Sequence, residues 1–268
     1  MKGKLQFIFL IMVSIFLFSC SQNNADISND HVTNNNDEVV NNNELNDHVN
    51  KDDENNQVEN DEEDNEVALW RQAYEAADDD ITVLVNKEVE LEEDDHPEDL
   101  VTVDVPTVLD NPEVKQMREE AAQALKEMFE AAKADRLKLY ARSGFRSYQT
   151  QVQLFNNYVS QHGEAEANRY SARPGQSEHQ TGLTMDVTAE SANLDLTRDF
   201  NETEEGKWLA NHAHQYGFII RYPEGKEEIT GYIYEPWHIR YLSVDLATAV
   251  YNSGLTYEEF LDIINEEH

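Results

Sequence analysis

The order of apolar and polar positions divides the chain into three stretches. From Leu5 to Phe18 nearly every residue is apolar. That run is shorter than the roughly 20 residues of a membrane span, and it has the length of a signal-peptide core. From Ser21 to about Glu66, Asn, Asp and Glu dominate, with scattered Val and Leu and no periodicity. Such a composition cannot bury enough apolar surface to offset the entropy of ordering, which predicts a disordered tether. Periodic patterns begin near Val67 and continue to the end.

Within this third stretch, Leu69 to Ala77 fits a short helix, and the β-branched run Ile81 to Val85 predicts a strand turning at Asn86-Lys87. Val114, Met117, Ala121, Ala124, Leu125, Met128 and Phe129 recur at spacings of three and four, which predicts one amphipathic helix over Pro112 to Lys138. Leu137 to Phe145 reads as a strand entering a Ser143-Gly144 turn. Ser147 to His162 reads as a second helix, stopped by Gly163. Leu183, Met185 and Val187 alternate with Thr184 and Asp186, the pattern of a half-buried strand. Glu205 to Tyr216 is a third predicted helix, ended by Gly217. Phe218 to Tyr222 and Ile229 to His238 read as a strand pair, and Leu246 to Tyr251 and Tyr257 to Asn265 as helices. Helices and strands in blocks with short links predict an α+β fold, a small antiparallel sheet flanked by helices.

Charge narrows the partners. With 20 Lys+Arg against 55 Asp+Glu, the formal net charge is −35, which argues against nucleic acid and against electrostatic attraction to anionic lipid. Lys2 and Lys4 precede the apolar run, and Leu17-Phe18-Ser19-Cys20 follows it, with Cys20 the only cysteine. This end resembles the bacterial lipobox. The expected organisation is a lipoprotein signal peptide over 1–20 with Cys20 lipidated, an acidic Asn-rich tether over 21–66 and a folded domain over 67–268. It would work outside the cytoplasm, on the outer face of the membrane, as a monomer. A lone cysteine allows no internal disulfide, so an exported domain must rely on its core, alone or with a metal.

Candidate chemistry lies in Ser177-Glu178-His179-Gln180-Thr181-Gly182-Leu183-Thr184-Met185-Asp186 and in Glu235-Pro236-Trp237-His238. A carboxylate such as Asp186 within an apolar strand is costly unless paired or bound to a cation. A turn centred on Gly182 brings the His179 imidazole back toward the strand end. Two imidazoles and one carboxylate suit tetrahedral Zn²⁺ with its fourth position open to water, the catalytic arrangement. A nearby unliganded Glu is then needed as general base, and Glu235 is the candidate. Residues three apart in a regular strand point to opposite faces, so Glu235 and His238 can meet only where Pro236 breaks the ladder. Taken singly, each of these residues also fits a purely structural role. His212 and His214, two apart on a helix, do not share a face and read as structural. His31, His48, His162 and His268 are assigned nothing.

Taken together, the residues resemble the zinc metallopeptidase family of VanY-type D-alanyl-D-alanine and L,D-carboxypeptidases. Its Ser-x-His-x-x-Gly-x-x-x-Asp and Glu-x-Trp-His segments are both present. The resemblance continues through Ser143-Gly144-Phe145-Arg146-Ser147-Tyr148, Gln151, Ala172-Arg173-Pro174-Gly175 and Leu84-Val85-Asn86-Lys87, so it spans roughly Ile81 to the C-terminus. Phe145 stands where the family has tyrosine. The resemblance implies one zinc held by His179, Asp186 and His238 at the sheet, and Glu235 as base. It also implies Arg146 on the substrate carboxylate or the developing oxyanion, Gln151, Ser177 and Tyr222 as further substrate contacts, and peptidoglycan stem peptides as substrate. Two alternatives share the same zinc centre: an endopeptidase with an open groove, and a non-catalytic wall-binding module. Arg146 argues against the first and Glu235 against the second. An acidic metal-buffering surface protein is a weaker third.

Overall fold

The computed structural model describes residues 65–266. The expected signal peptide, Cys20 and the tether up to residue 64 lie outside the described residues. In chain order the elements are α1 (65–75), α2 (Asp79–Thr82), β1 (Leu100–Thr102), β2 (Gln116–Arg118), α3 (Glu119–Ala134), β3 (Leu139–Ser143), α4 (Tyr148–His162) and α5 (Glu164–Tyr170). They continue with β4 (Thr184–Ala189), α6 (Glu204–His212), β5 (Phe218–Ile220), α7 (Glu227–Thr230), β6 (His238–Tyr241), α8 (Val244–Ser253) and α9 (Tyr257–Asn265). Strands β3 to β6 form one sheet in the order β3-β4-β6-β5, and every neighbouring pair is antiparallel. The α+β reading therefore holds.

The stripe on α3, carrying Ala121, Leu125, Met128 and Phe129, packs on Leu139, Ala141, Met185, Val187 and Ile239 of the sheet. Each fully buried Leu, Ile, Val or Met among them contributes on the order of 1.5–3 kcal/mol. A second apolar cluster joins Leu246 and Val250 of α8 to Tyr257, Phe260 and Ile264 of α9, with Trp70 and Tyr74 of α1 against them. Arg71 closes this corner by donating from Nε to the Ile264 carbonyl at 2.6 Å.

Three expected elements differ. The helix foreseen from Pro112 starts only at Glu119. Before it, Glu113–Lys115 is a 3-10 turn and Gln116–Arg118 pairs with β1, placing Met117 opposite Val101. A helical spacing cannot reveal a strand partner from elsewhere in the chain. Ile81 to Val85 is not a strand: a helical turn ends at Thr82. The carbonyls that a ladder would have used are taken by side chains. Arg240 Nη2 donates to Ile81 and Val83 (both 2.7 Å), and the Tyr257 hydroxyl donates to Thr82 (2.6 Å). Ile229 to His238 contains the end of α7, a left-handed Gly231 and a connecting segment, so β6 begins only at His238. The alternating strand is present as β4, but Thr184 and Asp186 are buried too, because β4 is an inner strand covered on both faces.

Candidate active site

The two inner strands carry the site. Asp186 on β4 lies directly opposite His238 on β6. His179 arrives from the 3-10 turn Glu178–Thr181, which ends at Gly182 in the left-handed region (φ 69°) before the chain enters β4. The turn is fastened twice to the end of β3. Arg146 N–H donates to the His179 carbonyl at 3.1 Å, and His179 Nδ1 donates to the Gly144 carbonyl at 2.7 Å. A carbonyl only accepts, so the proton sits on Nδ1 and the Nε2 lone pair faces Asp186 Oδ2, 3.6 Å away. His238 presents Nδ1 to Asp186 Oδ1 at 3.1 Å and Nε2 to Glu178 Oε2 at 3.4 Å. The two rings stand perpendicular with centroids 5.1 Å apart.

One nitrogen from each histidine and one Asp186 oxygen lie within 4.8 Å of one another, all buried. Burial, reinforced by the Arg146 charge, pushes His179 down to about 3, so it is the neutral imidazole that binds metals. Burial works against ionised Asp186, yet both histidines and Arg146 outweigh it and hold the carboxyl below its ordinary range. Burial also disfavours a charged His238, but hydrogen bonds to Asp186 and Glu178 raise it to about 9. A site that draws a proton onto Nδ1 this strongly is one where a cation fits. A lone pair facing a carboxylate oxygen at 3.6 Å in a buried pocket makes the same point. Two imidazoles and a carboxylate match the donor set of catalytic zinc.

Glu235 reaches the site through a turn, not a strand. His238 N–H donates to the Glu235 carbonyl at 3.2 Å across Pro236-Trp237, with proline at the position a β-turn favours. Glu235 N–H is held by the Tyr222 carbonyl at 3.1 Å. The carboxyl ends with Oε2 3.7 Å from His238 Nδ1. Burial, with help from the negative charge of Asp186, raises it to about 7. Arg146, Ser177, Tyr222, Glu235 and the triad line one cavity of about 340 Å³, together with Tyr158, Tyr170, Leu196 and Tyr232.

The VanY family model, described as D-alanyl-D-alanine carboxypeptidase, matches residues 114–244. The "Putative carboxypeptidase YodJ" of Bacillus subtilis (strain 168) is 45% identical over 189 residues, covering 70% of this chain and 69% of that protein. The chain belongs to the VanY family. Among solved structures, the LD-carboxypeptidase LdcB is similar with a TM-score of 0.66 at 45% identity, covering 69% of this chain and 86% of that one. A mutant of the vancomycin-resistance D,D-pentapeptidase VanY from a VanB-type cassette, solved with Zn(II), is similar with a TM-score of 0.57 at 32% identity, covering 68% and 99%.

In this VanY-family chain the residues singled out by sequence converge on one place, with one change of position. Gln151 is buried behind Arg146 and not on the cavity wall. Its Oε1 accepts from Arg146 Nη1 at 2.7 Å and its Nε2 donates to the Ala172 carbonyl at 2.6 Å. Ser143 Oγ accepts from Arg146 Nη2 at 3.2 Å, so the guanidinium is aimed by two partners. The Tyr222 ring lies tilted against those of His238 and Tyr232, each centroid 4.7 Å away, and burial raises its phenol well above the ordinary value. His212 stacks on Trp208 and His214 on Tyr251, the structural roles expected of them. Tyr158, Tyr170, Tyr232 and Glu178 were not foreseen. Glu178 adjoins His179 in sequence, but the two arginines that hold it lie 43 and 62 residues downstream.

Proposed function

We propose that this protein is a zinc-dependent carboxypeptidase that removes the C-terminal D-alanine from peptidoglycan stem peptides. The observation that carries the reading is the convergence, in one cavity, of the triad, the Glu235 carboxyl and the Arg146 guanidinium. His179 Nε2, an Asp186 oxygen and His238 Nδ1 would hold one zinc ion, which supplies Lewis-acid activation of the attacking water and the scissile carbonyl. Glu235 accepts the proton of the attacking water and passes it to the departing amine of D-alanine. A carboxyl raised toward neutrality suits both halves of that task. Arg146 takes the terminal carboxylate in its guanidinium fork, a geometry lysine cannot reproduce. Gln151 acts on substrate through Arg146, by fixing the plane of that fork. Ser177 and the un-ionised Tyr222 phenol supply hydrogen bonds to the terminal residue. A cation facing the cavity favours a chain end over an internal bond. The sequence around Cys20 supports work outside the cytoplasm on a lipid anchor, and Cys20→Ala should move the protein from the detergent phase to the aqueous phase.

The decisive assay follows D-alanine release from pentapeptide and tetrapeptide stems by the full chain, with and without chelator, beside Glu235→Ala. Chelator-sensitive release that falls by several orders of magnitude in the variant, with zinc retained, is expected. Cleavage deeper in the stem would transfer the protein to the endopeptidases. Zinc uptake without cleavage would leave a binding module.

A further inference from the structure

Behind the site lies a charge cluster that the proposed chemistry does not use. The Glu178 side chain has no exposed surface. Its Oε1 accepts from Arg221 Nε at 2.7 Å and from Arg240 Nη1 at 2.8 Å, and its Oε2 faces His238 Nε2 at 3.4 Å. Arg221 spends its fork on Glu258 at 2.8 and 2.6 Å, and Asn86 Nδ2 donates to the same carboxylate at 3.4 Å. Arg240 spends Nη2 on the Ile81 and Val83 carbonyls. Both arginines are fully buried. The segment Leu84-Val85-Asn86-Lys87, singled out by sequence and given no role above, thus abuts this cluster through Asn86.

Buried ion networks are poor stabilisers, because the desolvation of each charge offsets the attraction, and apolar replacements of equal volume are often no worse. Stability alone gives no reason for two guanidiniums and a carboxylate here. The free oxygen gives one. Imidazole ligands are oriented by the acceptor on their other nitrogen, and His238 has Glu178 there as His179 has the Gly144 carbonyl. We propose, resting on the zinc reading above, that Glu178 is the positioning residue of the metal centre. It holds Nε2–H of His238 so that Nδ1 turns its lone pair toward Asp186 and the cation, while Arg221 and Arg240 fix the carboxylate that does so.

Glu178→Gln makes a sharp test. Two guanidinium donors claim the single amide oxygen, so the amide NH₂ must face His238 Nε2. The proton is then displaced to Nδ1, the nitrogen meant for metal. Zinc affinity of the full chain, by competition with a chromophoric chelator, should fall about 10–100-fold. Long-range ¹H–¹⁵N spectra should show the zinc-loaded wild type with His238 as the Nε2–H tautomer and the metal-free variant as Nδ1–H. Glu258→Gln, which touches Arg221 but not His238, should lower the melting temperature while leaving zinc affinity within about threefold of wild type. A wild-type spectrum with metal on Nε2 of His238 overturns the inference without any variant. So does Glu178→Gln that keeps wild-type affinity and tautomer. A wild type that takes up no zinc overturns the functional reading and this inference together.

Discussion

Glu178, fully buried, and Glu235, largely covered, both lie within 3.7 Å of the His238 ring, yet their surroundings drive them in opposite directions. Burial is the largest influence on each. For Glu235 it prevails and raises the carboxyl to about 7. For Glu178 it is overcome by Arg221 and Arg240, which hold the carboxyl far below its ordinary range. One residue can therefore exchange a proton near neutrality and the other cannot, which suits the two roles proposed for them. A consequence for kinetics follows from Glu235. A general base works ionised, so kcat/KM should decline as pH falls through its pKa. A cation in the triad favours the carboxylate, so that acid limb should lie at or below about 7. In Glu235→Gln any residual activity should lose the limb, and a limb that survives unchanged would assign the base elsewhere.

The elements place these residues by contacts that are partly local and partly remote. Gly144 ends β3 where the chain crosses Val114 and Gln116: its N–H donates to the Val114 carbonyl and Phe145 N–H to the Gln116 carbonyl, both at 2.7 Å. A Cβ on Gly144 would collide with the Gln116 carbonyl and come within 2.8 Å of Met185 Cε. Gly144→Ala should therefore cost about 1–3 kcal/mol through overpacking. Because the Gly144 carbonyl also holds His179, zinc affinity should weaken in the same variant; calorimetry and chelator competition read the two effects separately. What sequence could show divides along this line. Helix α4 was legible at both ends, because Ser147 caps it by accepting from Thr150 N–H and Gly163 stops it, all within the element. The triad was legible because its ligands sit in two short segments. The start of α3 was not, because β2 is a strand only by virtue of β1. The geometry of Glu235 was not, because it depends on a turn whose N–H is held by Tyr222. Glu178 was hidden for the same reason: only the fold brings Arg221 and Arg240 to it.

At the scale of the molecule, the shifts add up to a stability profile. Glu178, Asp186, Glu113 and Glu259 all have carboxyls depressed in the fold, each against a burial effect that alone would raise them. An unfolded Glu titrates near 4.3. Below about pH 5 the unfolded chain thus binds protons that the folded one refuses, and stability present above that pH is lost as pH falls. His179, held at about 3 against an unfolded value near 6.5, acts in the same direction and begins earlier. Glu235, raised to about 7, works the other way: between about pH 7 and 4.3 the folded chain holds a proton that the unfolded one lacks, which offsets His179. The melting temperature of the metal-free protein should therefore drop chiefly from about pH 4.5 to about pH 3. A profile flat across that window would mean these groups are not held as described.

The charge cluster under the site also bears on how such an enzyme can be passed between proteins. The stretch matched by the family model, residues 114–244, contains every proposed ligand and the proposed base. It is nevertheless not a self-sufficient cassette. Two of its buried cations, Arg221 and Arg240, are neutralised or solvated in part from outside it, by Glu258 on α9 and by the Ile81 and Val83 carbonyls. Excised at its own borders, the core would expose unpaired charge at the place where His238 is braced. The inheritable module is therefore larger than the recognisable motif. A graft, fusion or truncation should keep residues 65–266 together, because the flanks are part of the machine and not its packaging.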